Sequence, residues 1–295
     1  MRRLLNDRAP YLLIAPTVLL LLLFSITPLF VAFVMSFTNM DLAGIANFAN
    51  VDWIGMTNYL EIFKDEVFLK ALSNTVVYVV IGVPLVIALS LSIAIAINFG
   101  RGKVFEWFRV VFYMPSITNV VAVAVVWGFL FNPQYGLFNF ILNTIGLPDV
   151  PWLQDPFIAK LSLILLALWR AVGINMIIFL AALQGIPRTY YEAAALDGAN
   201  TFQQMFKITI PLLRYAIFFV TVTTLIGWIQ FFEEPFIMTE GGPLNSTTSL
   251  ALFIYQNGFQ LSNFGYAAAG SVVLFVLIIT VTLIQFRVQK NENPY

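Results

Sequence analysis

Few residues of this chain have types and spacings suited to chemistry, and those few point to binding rather than bond-making. The sequence contains no His and no Cys. The commonest acid–base group, the thiolate nucleophile and the soft metal ligands are therefore missing, although carboxylates remain. It nowhere reads G-x-x-x-x-G-K-[ST], the loop whose backbone amides cradle nucleotide phosphates. No cofactor and no metal site are expected in this chain. Arg170 stands deep in the apolar run 161–183. A charge there costs about 2.5–3.5 kcal/mol on insertion scales, so it is either paired, tied to backbone carbonyls, or turned to a polar path where it binds a solute. Trp169 beside it and Trp228 further on offer flat apolar surfaces, fit for a sugar ring or for ordinary packing. Glu233 and Glu234 close another apolar run. They would meet an external partner, gate an exit, or sit as solvated charge.

A second stretch, Thr189 to Pro211, reads as two short helices with a corner between them. Thr189 and Glu192 have the T-x-x-E spacing of a capping box. Ala193, Ala194, Ala195 and Leu196 are strong helix formers. Asp197-Gly198 is a turn signal, with Gly198 suited to a left-handed helix end. Asn200 or Thr201 caps the next helix, Phe202 and Phe206 share one of its faces, and Pro211 is expected to end it. Glu192 either caps its own helix, contacts a partner, or does both.

The elements that must position these residues are membrane spans. Of 295 residues, 60% are hydrophobic and 10% charged, with a formal net charge of zero. That is too little charge to cover a soluble surface, and it gives no case for nucleic acid. About 20 apolar residues cross a bilayer as a helix. Six such runs are expected, near 11–37, 74–98, 110–131, 161–183, 215–232 and 267–286, which makes an all-α membrane protein. The first is longer than a signal-peptide core and is read as retained, interrupted at Pro16 and Pro28. The third has Pro115 near its start, and no run contains Asp or Glu. Six spans put both ends on one side. Arg2, Arg3, Arg8, Arg101, Lys103, Arg109, Arg188, Lys207, Arg214, Arg287 and Lys290 fall on that side, against Lys64, Lys70 and Lys160 on the other. The basic side is the cytoplasm, so both termini and the Glu192 corner are expected there.

The corner also resembles a family signature: Glu-Ala-Ala, three residues, Gly, nine residues, Ile, one residue, then an aliphatic-Pro pair. Here it is Glu192-Ala193-Ala194, Gly198, Ile208 and Ile210-Pro211, with Ile210 where Leu is usual. This resembles the permease subunits of binding-protein-dependent ABC importers. The segments 232–236, Thr239-Glu240-Gly241-Gly242-Pro243, Ser246-Thr247-Thr248, Asn74-Thr75, Tyr113-Met114-Pro115 and 265–269 are similar to the carbohydrate-uptake branch of that family. The extra N-terminal helices and large outer domain of its maltose permease are not expected here, so no function tied to those parts is carried over.

The resemblance implies a type I (MetI-like) permease architecture in the cell membrane. It implies a leader at 1–10, a six-helix domain at 11–287 with a coupling segment at 186–211, and a cytoplasmic tail at 288–295. Tyr191, Glu192, Ala193, Ala194, Asp197, Gly198 and Phe202 would dock on an ATPase subunit. By ungapped register from Glu192, Trp169 and Arg170, and forward of it Thr224, Gly227, Trp228 and Phe231, fall where the maltose permease lines its mid-membrane site. The implied partners are a second homologous permease, two ATPase subunits that bind ATP and Mg, an extracytoplasmic solute-binding protein, and a sugar or oligosaccharide. Two other readings differ in class. An ion-coupled transporter should carry an acidic residue within a span, and a membrane anchor for an ATPase needs no polar groups at mid-span depth.

Overall fold

The computed structural model describes residues 2–100 and 102–291. Met1, Arg101 of the basic turn and residues 292–295 of the tail lie outside the described residues. Among the described residues, regular structure is helical apart from one isolated antiparallel bridge between Thr38 and Trp53. The main helices are α1 (Arg2–Leu21), α2 (Thr27–Met35), α3 (Glu66–Phe99), α4 (Lys103–Ile117), α5 (Val120–Leu130), α6 (Pro156–Gln184), α7 (Thr189–Leu196), α8 (Thr201–Gln204), α9 (Arg214–Ile229), α10 (Glu233–Thr239) and α11 (Phe264–Asn291). Five helical segments among the described residues are long and apolar enough to cross a bilayer: Tyr11–Met35, Glu66–Phe99, Pro156–Gln184, Arg214–Thr239 and Phe264–Gln289. The bent pair α4 and α5 brings the number to six if it is counted as one span.

The spans depart from the sequence expectation where local chemistry overrides hydropathy. The first helix runs unbroken past Pro16, and its irregularity is a π turn, Leu22–Ile26, just before Pro28. A proline ring clashes with the carbonyl four residues back, and one widened turn relieves the clash. The third span is not one rod. Its two halves meet at 100°. Thr118 and Asn119 are extended there, and the Asn119 side chain caps α5 by accepting from the amides of Val121 and Ala122 at 2.9 and 3.4 Å. Helix α3 starts well before Asn74, because Asp65 accepts from the amides of Val67 and Phe68. Helix α6 starts at Pro156, with Asp155 as its cap and proline in the first turn, where the missing amide costs nothing. The fifth segment continues beyond Phe232 through α10. Glu233 and Glu234 therefore stand inside an apolar helical segment, and Glu66 opens another, so the expectation that no span holds an acidic residue fails.

The chain forms two compact units. One comprises the residues up to Phe68 with Phe253–Val276, and the other comprises Leu69–Leu252 with the chain from Leu277 onward. In the first unit, Asn58 donates to the carbonyls of Ser36 and Thr38 at 2.9 Å each, and Tyr266 donates to Asp65 at 2.9 Å. The second unit carries the candidate site. One of its cores joins Ala94 and Ile97 of α3, Met176, Phe179, Leu180 and Leu183 of α6, and Val220 of α9. Between apolar helices in a bilayer such contacts act by close packing rather than by expulsion of water.

One face of α3 also holds the 241–250 loop by its carbonyls. Lys70 donates to Leu244 at 2.8 Å, Asn74 to Asn245 and Thr248 at 3.0 and 2.9 Å, and Tyr78 to Thr247 at 2.9 Å. Those three side chains are spaced four apart, one turn of helix each. The loop in turn ties back to α10 through Thr239 and Thr247, whose hydroxyls are 2.7 Å apart.

Candidate functional site

The second unit carries an open cavity of about 320 Å³ lined from α4, α6, α9 and α10. Arg170, Thr224, Gly227, Trp228 and Phe231 line it, as the sequence suggested, together with Ser116, Asn175 and Glu234, which it did not single out for this place. Trp169 is not among the lining residues. Consecutive residues of a helix point about 100° apart, and Trp169 instead packs on Trp127 with ring centroids 5.5 Å apart.

The charge of Arg170 is answered inside the chain. Its Nη1 donates to Glu234 Oε1 at 2.7 Å and lies 3.5 Å from Glu233 Oε2. Glu234 is buried, whereas the Glu233 side chain is 55% exposed, so Glu234 is the principal counter-ion. Burying an ion pair costs desolvation of both partners, repaid only by short, charge-assisted contact. The sequence hid this pairing because its partners are 64 residues apart.

Ser116, from the bent pair, docks on the same stretch of α6. Its hydroxyl donates to the Arg170 carbonyl at 2.6 Å and accepts from the Ile174 amide at 3.1 Å. These are the two backbone groups that an unbroken helix pairs with each other. The corner between α4 and α5 is thereby fastened to the cavity wall. Two polar atoms at the cavity are buried without a hydrogen-bond partner, Arg170 Nε and Thr224 Oγ1.

The aromatic wall is set from α3. Trp228 and Phe231 stack with centroids 5.3 Å apart and ring planes 17° from parallel, and Tyr78 meets Phe231 edge-on at 4.8 Å. Gly82 is what lets Trp228 lie there, since a Cβ at Gly82 would fall 2.1 Å from an atom of its ring. Gly82→Ala is expected to displace the indole and cost about 1–3 kcal/mol by overpacking. Thermal unfolding in detergent reads the cost, and a shifted Trp emission spectrum in the same variant reads the displaced ring. An unchanged melting temperature and spectrum would contradict this role.

At the other candidate region, the corner forms with different local chemistry. Arg188 is already helical and is the N-cap of α7, without a side-chain capping bond. Thr189 therefore lies within the first turn, and the Thr189–Glu192 capping box does not form. Glu192 is exposed. Gly198 ends the helix at φ +79°, with the Ala199 amide bonded to the Ala194 carbonyl at 2.8 Å and the Gly198 amide to that of Ala195 at 3.1 Å. This is the paired closure of a left-handed helix end.

Asn200 caps α8 in a full reciprocal box with Gln203. Phe202 and Phe206 pack at 4.5 Å. Pro211 does not end the segment, which passes through a π turn, Met205–Thr209, and places Pro211 in the first turn of Ile210–Leu212. As at Pro28, a wide turn just ahead of the ring removes the clash. Tyr191 faces inward, its hydroxyl 3.0 Å from that of Thr209 and its ring against Phe99. Ala194 is half-buried, while Ala193, Asp197 and Phe202 are exposed. Leu196 is 90% exposed, an apolar tip that sequence reasoning took only for a helix former.

The chain is similar to known transport proteins over most of its length. The family model described as "Binding-protein-dependent transport system inner membrane component" matches residues 87–292. The lactose transport system permease protein LacF of Rhizobium radiobacter is 35% identical, the match covering 96% of this chain and 94% of that one. The sn-glycerol-3-phosphate transport system permease protein UgpA of Agrobacterium fabrum is 33% identical over 98% of this chain and 97% of its own. A chain of a bacterial ABC transporter involved in the import of the acidic polysaccharide alginate superposes with a TM-score of 0.84 at 25% identity, covering 98% and 99% of the two chains. By that match to its conserved domain and by these full-length relatives, the chain belongs to the binding-protein-dependent transport system inner membrane components, the all-α, MetI-like permease subunits of ABC importers.

Proposed function

We propose that this chain is one of two homologous permeases of an ATP-driven importer of a sugar or oligosaccharide. It forms half of the translocation path and takes its drive through the Thr189–Pro211 segment. The observation that carries the reading is the cavity, where a paired charge, an unpartnered hydroxyl and a stacked aromatic wall meet inside helices long enough to cross a bilayer. The relative named for lactose supports a carbohydrate cargo. Two ATPase subunits supply ATP and Mg binding and hydrolysis, and an extracytoplasmic binding protein delivers the solute.

The segment 186–211 is the coupling element of a domain spanning 11–287, and the exposed Glu192, Ala193, Leu196 and Phe202 are its docking face. A stiff helix held at a capped corner transmits closure of a partner as a rigid body. Tyr191 serves as the anchor of that helix rather than as a contact. The leader 1–10 and the tail 288–295 are placed in the cytoplasm on the charge asymmetry. Glu234 removes the argument that no span holds a carboxylate. Its short bond to Arg170, however, leaves it unsuited to binding and releasing a coupling ion.

Topology tests the reading, because a corner outside the cell could not meet an ATPase that uses cytoplasmic ATP. The chain has no Cys, so single cysteines report without background. Ala195→Cys should react with an impermeant maleimide only after the cells are opened, and Glu240→Cys in intact cells. Labelling of Ala195→Cys from outside would overturn the assignment.

A further inference from the structure

The relatives' names divide by the charge of what they carry. Lactose is neutral, whereas sn-glycerol 3-phosphate and alginate are anions. An arginine in a solute path invites an anion, since its planar fork matches carboxylate and phosphate oxygens. Here one arm of the fork, Nη1, is already taken, while Nε is buried without a partner. Arg170 Nη1 holds Glu234 Oε1 at 2.7 Å, Glu234 is 5% exposed, and Glu233 adds a second carboxylate at 3.5 Å. Among the described lining residues, Arg170 is the sole cation and Glu234 the sole anion, so the wall sums to zero and Glu233 beside it tilts the field negative. An entering anion would meet Glu234 at close range, and to take Nη1 it would have to displace a buried bond.

What the cavity leaves free suits a neutral ring bearing hydroxyls. Thr224 lines the cavity, and its Oγ1 is buried and has no partner. Trp228 and Phe231 present a stacked apolar wall beside it. At Gly227 a Cβ would meet open space. A saccharide ring shows an edge of hydroxyls and a face of C–H groups, which these two walls complement. We propose that the cavity selects uncharged saccharide and rejects anionic sugars, and that Glu234 is the residue that sets this selectivity. The proposal rests on the importer reading for its cargo, while the charge of the cavity can be measured apart from it.

The measurement uses Gly227→Cys in the otherwise Cys-free chain, in native membranes where the chain keeps its own partners. Cationic and anionic methanethiosulfonates are the probes, each rate divided by that for a free thiol in solution. The cationic reagent is expected to react faster by about fivefold or more, as one excess negative charge beside the cavity allows. Adding Glu234→Gln removes one negative charge and leaves Arg170 with Glu233 at 3.5 Å, so the preference should be lost. Arg170→Gln with Glu234→Gln removes one charge of each sign and leaves Glu233, so the cationic preference should persist. A faster anionic reagent at intact Glu234 overturns the proposal, as do equal rates, or no reaction with either reagent.

Uptake is read separately, with maltotriose against sn-glycerol 3-phosphate and a triuronate as probes. Preferred uptake of either anion overturns the selectivity. Uptake of none of them, with the cationic preference kept, strikes the importer reading and leaves the assignment of Glu234 standing.

Discussion

Arg170→Gln is expected to destabilise the protein by about 3–5 kcal/mol, because it strands Glu234 as a buried, uncompensated carboxylate. The geometry leaves the carboxylate little alternative. Glu234 is 5% exposed, Arg170 Nη1 is its closest charged contact at 2.7 Å, and its neighbour Glu233 is of like charge. The effect should be far from additive. Glu234→Gln alone strands the arginine less severely, since Glu233 remains within 3.5 Å and the Arg170 side chain is 21% exposed. The double change Arg170→Gln with Glu234→Gln should recover most of the loss, as replacing both partners removes the desolvation cost along with the attraction. Melting temperatures of the four proteins in one detergent give the coupling energy directly. A double variant no more stable than Arg170→Gln would show that the pair is not what holds α6 to α10.

Gly198→Val is expected to abolish ATP-dependent uptake while leaving the protein in the membrane at normal levels. At φ +79° a β-branched side chain meets the backbone penalty of the left-handed region, about 1–2 kcal/mol or more. No neighbouring atom lies within 4 Å of the position a Cβ would take. The strain is therefore in the chain itself and stays local to the corner. It is relieved by opening the bonds from Ala199 and Gly198 back to Ala194 and Ala195, which swings α7 away from α8. Under the proposed coupling, the ATPase subunit no longer co-purifies with the solubilised variant. Gly198→Asn, which tolerates that backbone region, should retain much of it. Full co-purification and uptake in Gly198→Val would mean that this corner is not the coupling element.

Legibility in the sequence followed the range of the interactions. The helical class, the spans' approximate places and the corner at Asp197-Gly198 were readable because each rests on neighbours within one or two turns. So was the cap of the next helix, narrowed to Asn200 or Thr201, of which Asn200, directly before the helix, is the one that forms. Where two local signals competed, sequence reading took the wrong one. Thr189 has capping chemistry, but Arg188 had already turned helical, so the box had no open end to cap. Pro16 and Pro211 have the chemistry of helix breakers, yet the chain stays helical through both. The 100° bend at Thr118-Asn119 was overlooked because two polar residues barely dent the hydropathy of a long apolar run. Asn119 before Val120 was the available signal.

The site was legible as a set of residues and illegible as an arrangement. Arg170, Thr224, Gly227, Trp228 and Phe231 do share one cavity. What decides its chemistry comes from elsewhere in the chain. Glu234 neutralises the arginine, Ser116 fastens the backbone beneath it, and Gly82 makes room for the indole. None of these pairings leaves a periodic trace, since each joins residues more than fifty positions apart.

The central claim is that this permease moves saccharide at the expense of ATP. The most direct measurement reconstitutes the chain with its partner permease and ATPase subunits in liposomes, with the solute-binding protein on the outside and labelled maltotriose or arabinotriose as solute. The account predicts accumulation that requires ATP and Mg inside the vesicles and the binding protein outside, and that persists when ionophores collapse every ion gradient. Uptake that stops with the ionophores, or that proceeds without ATP, would contradict it.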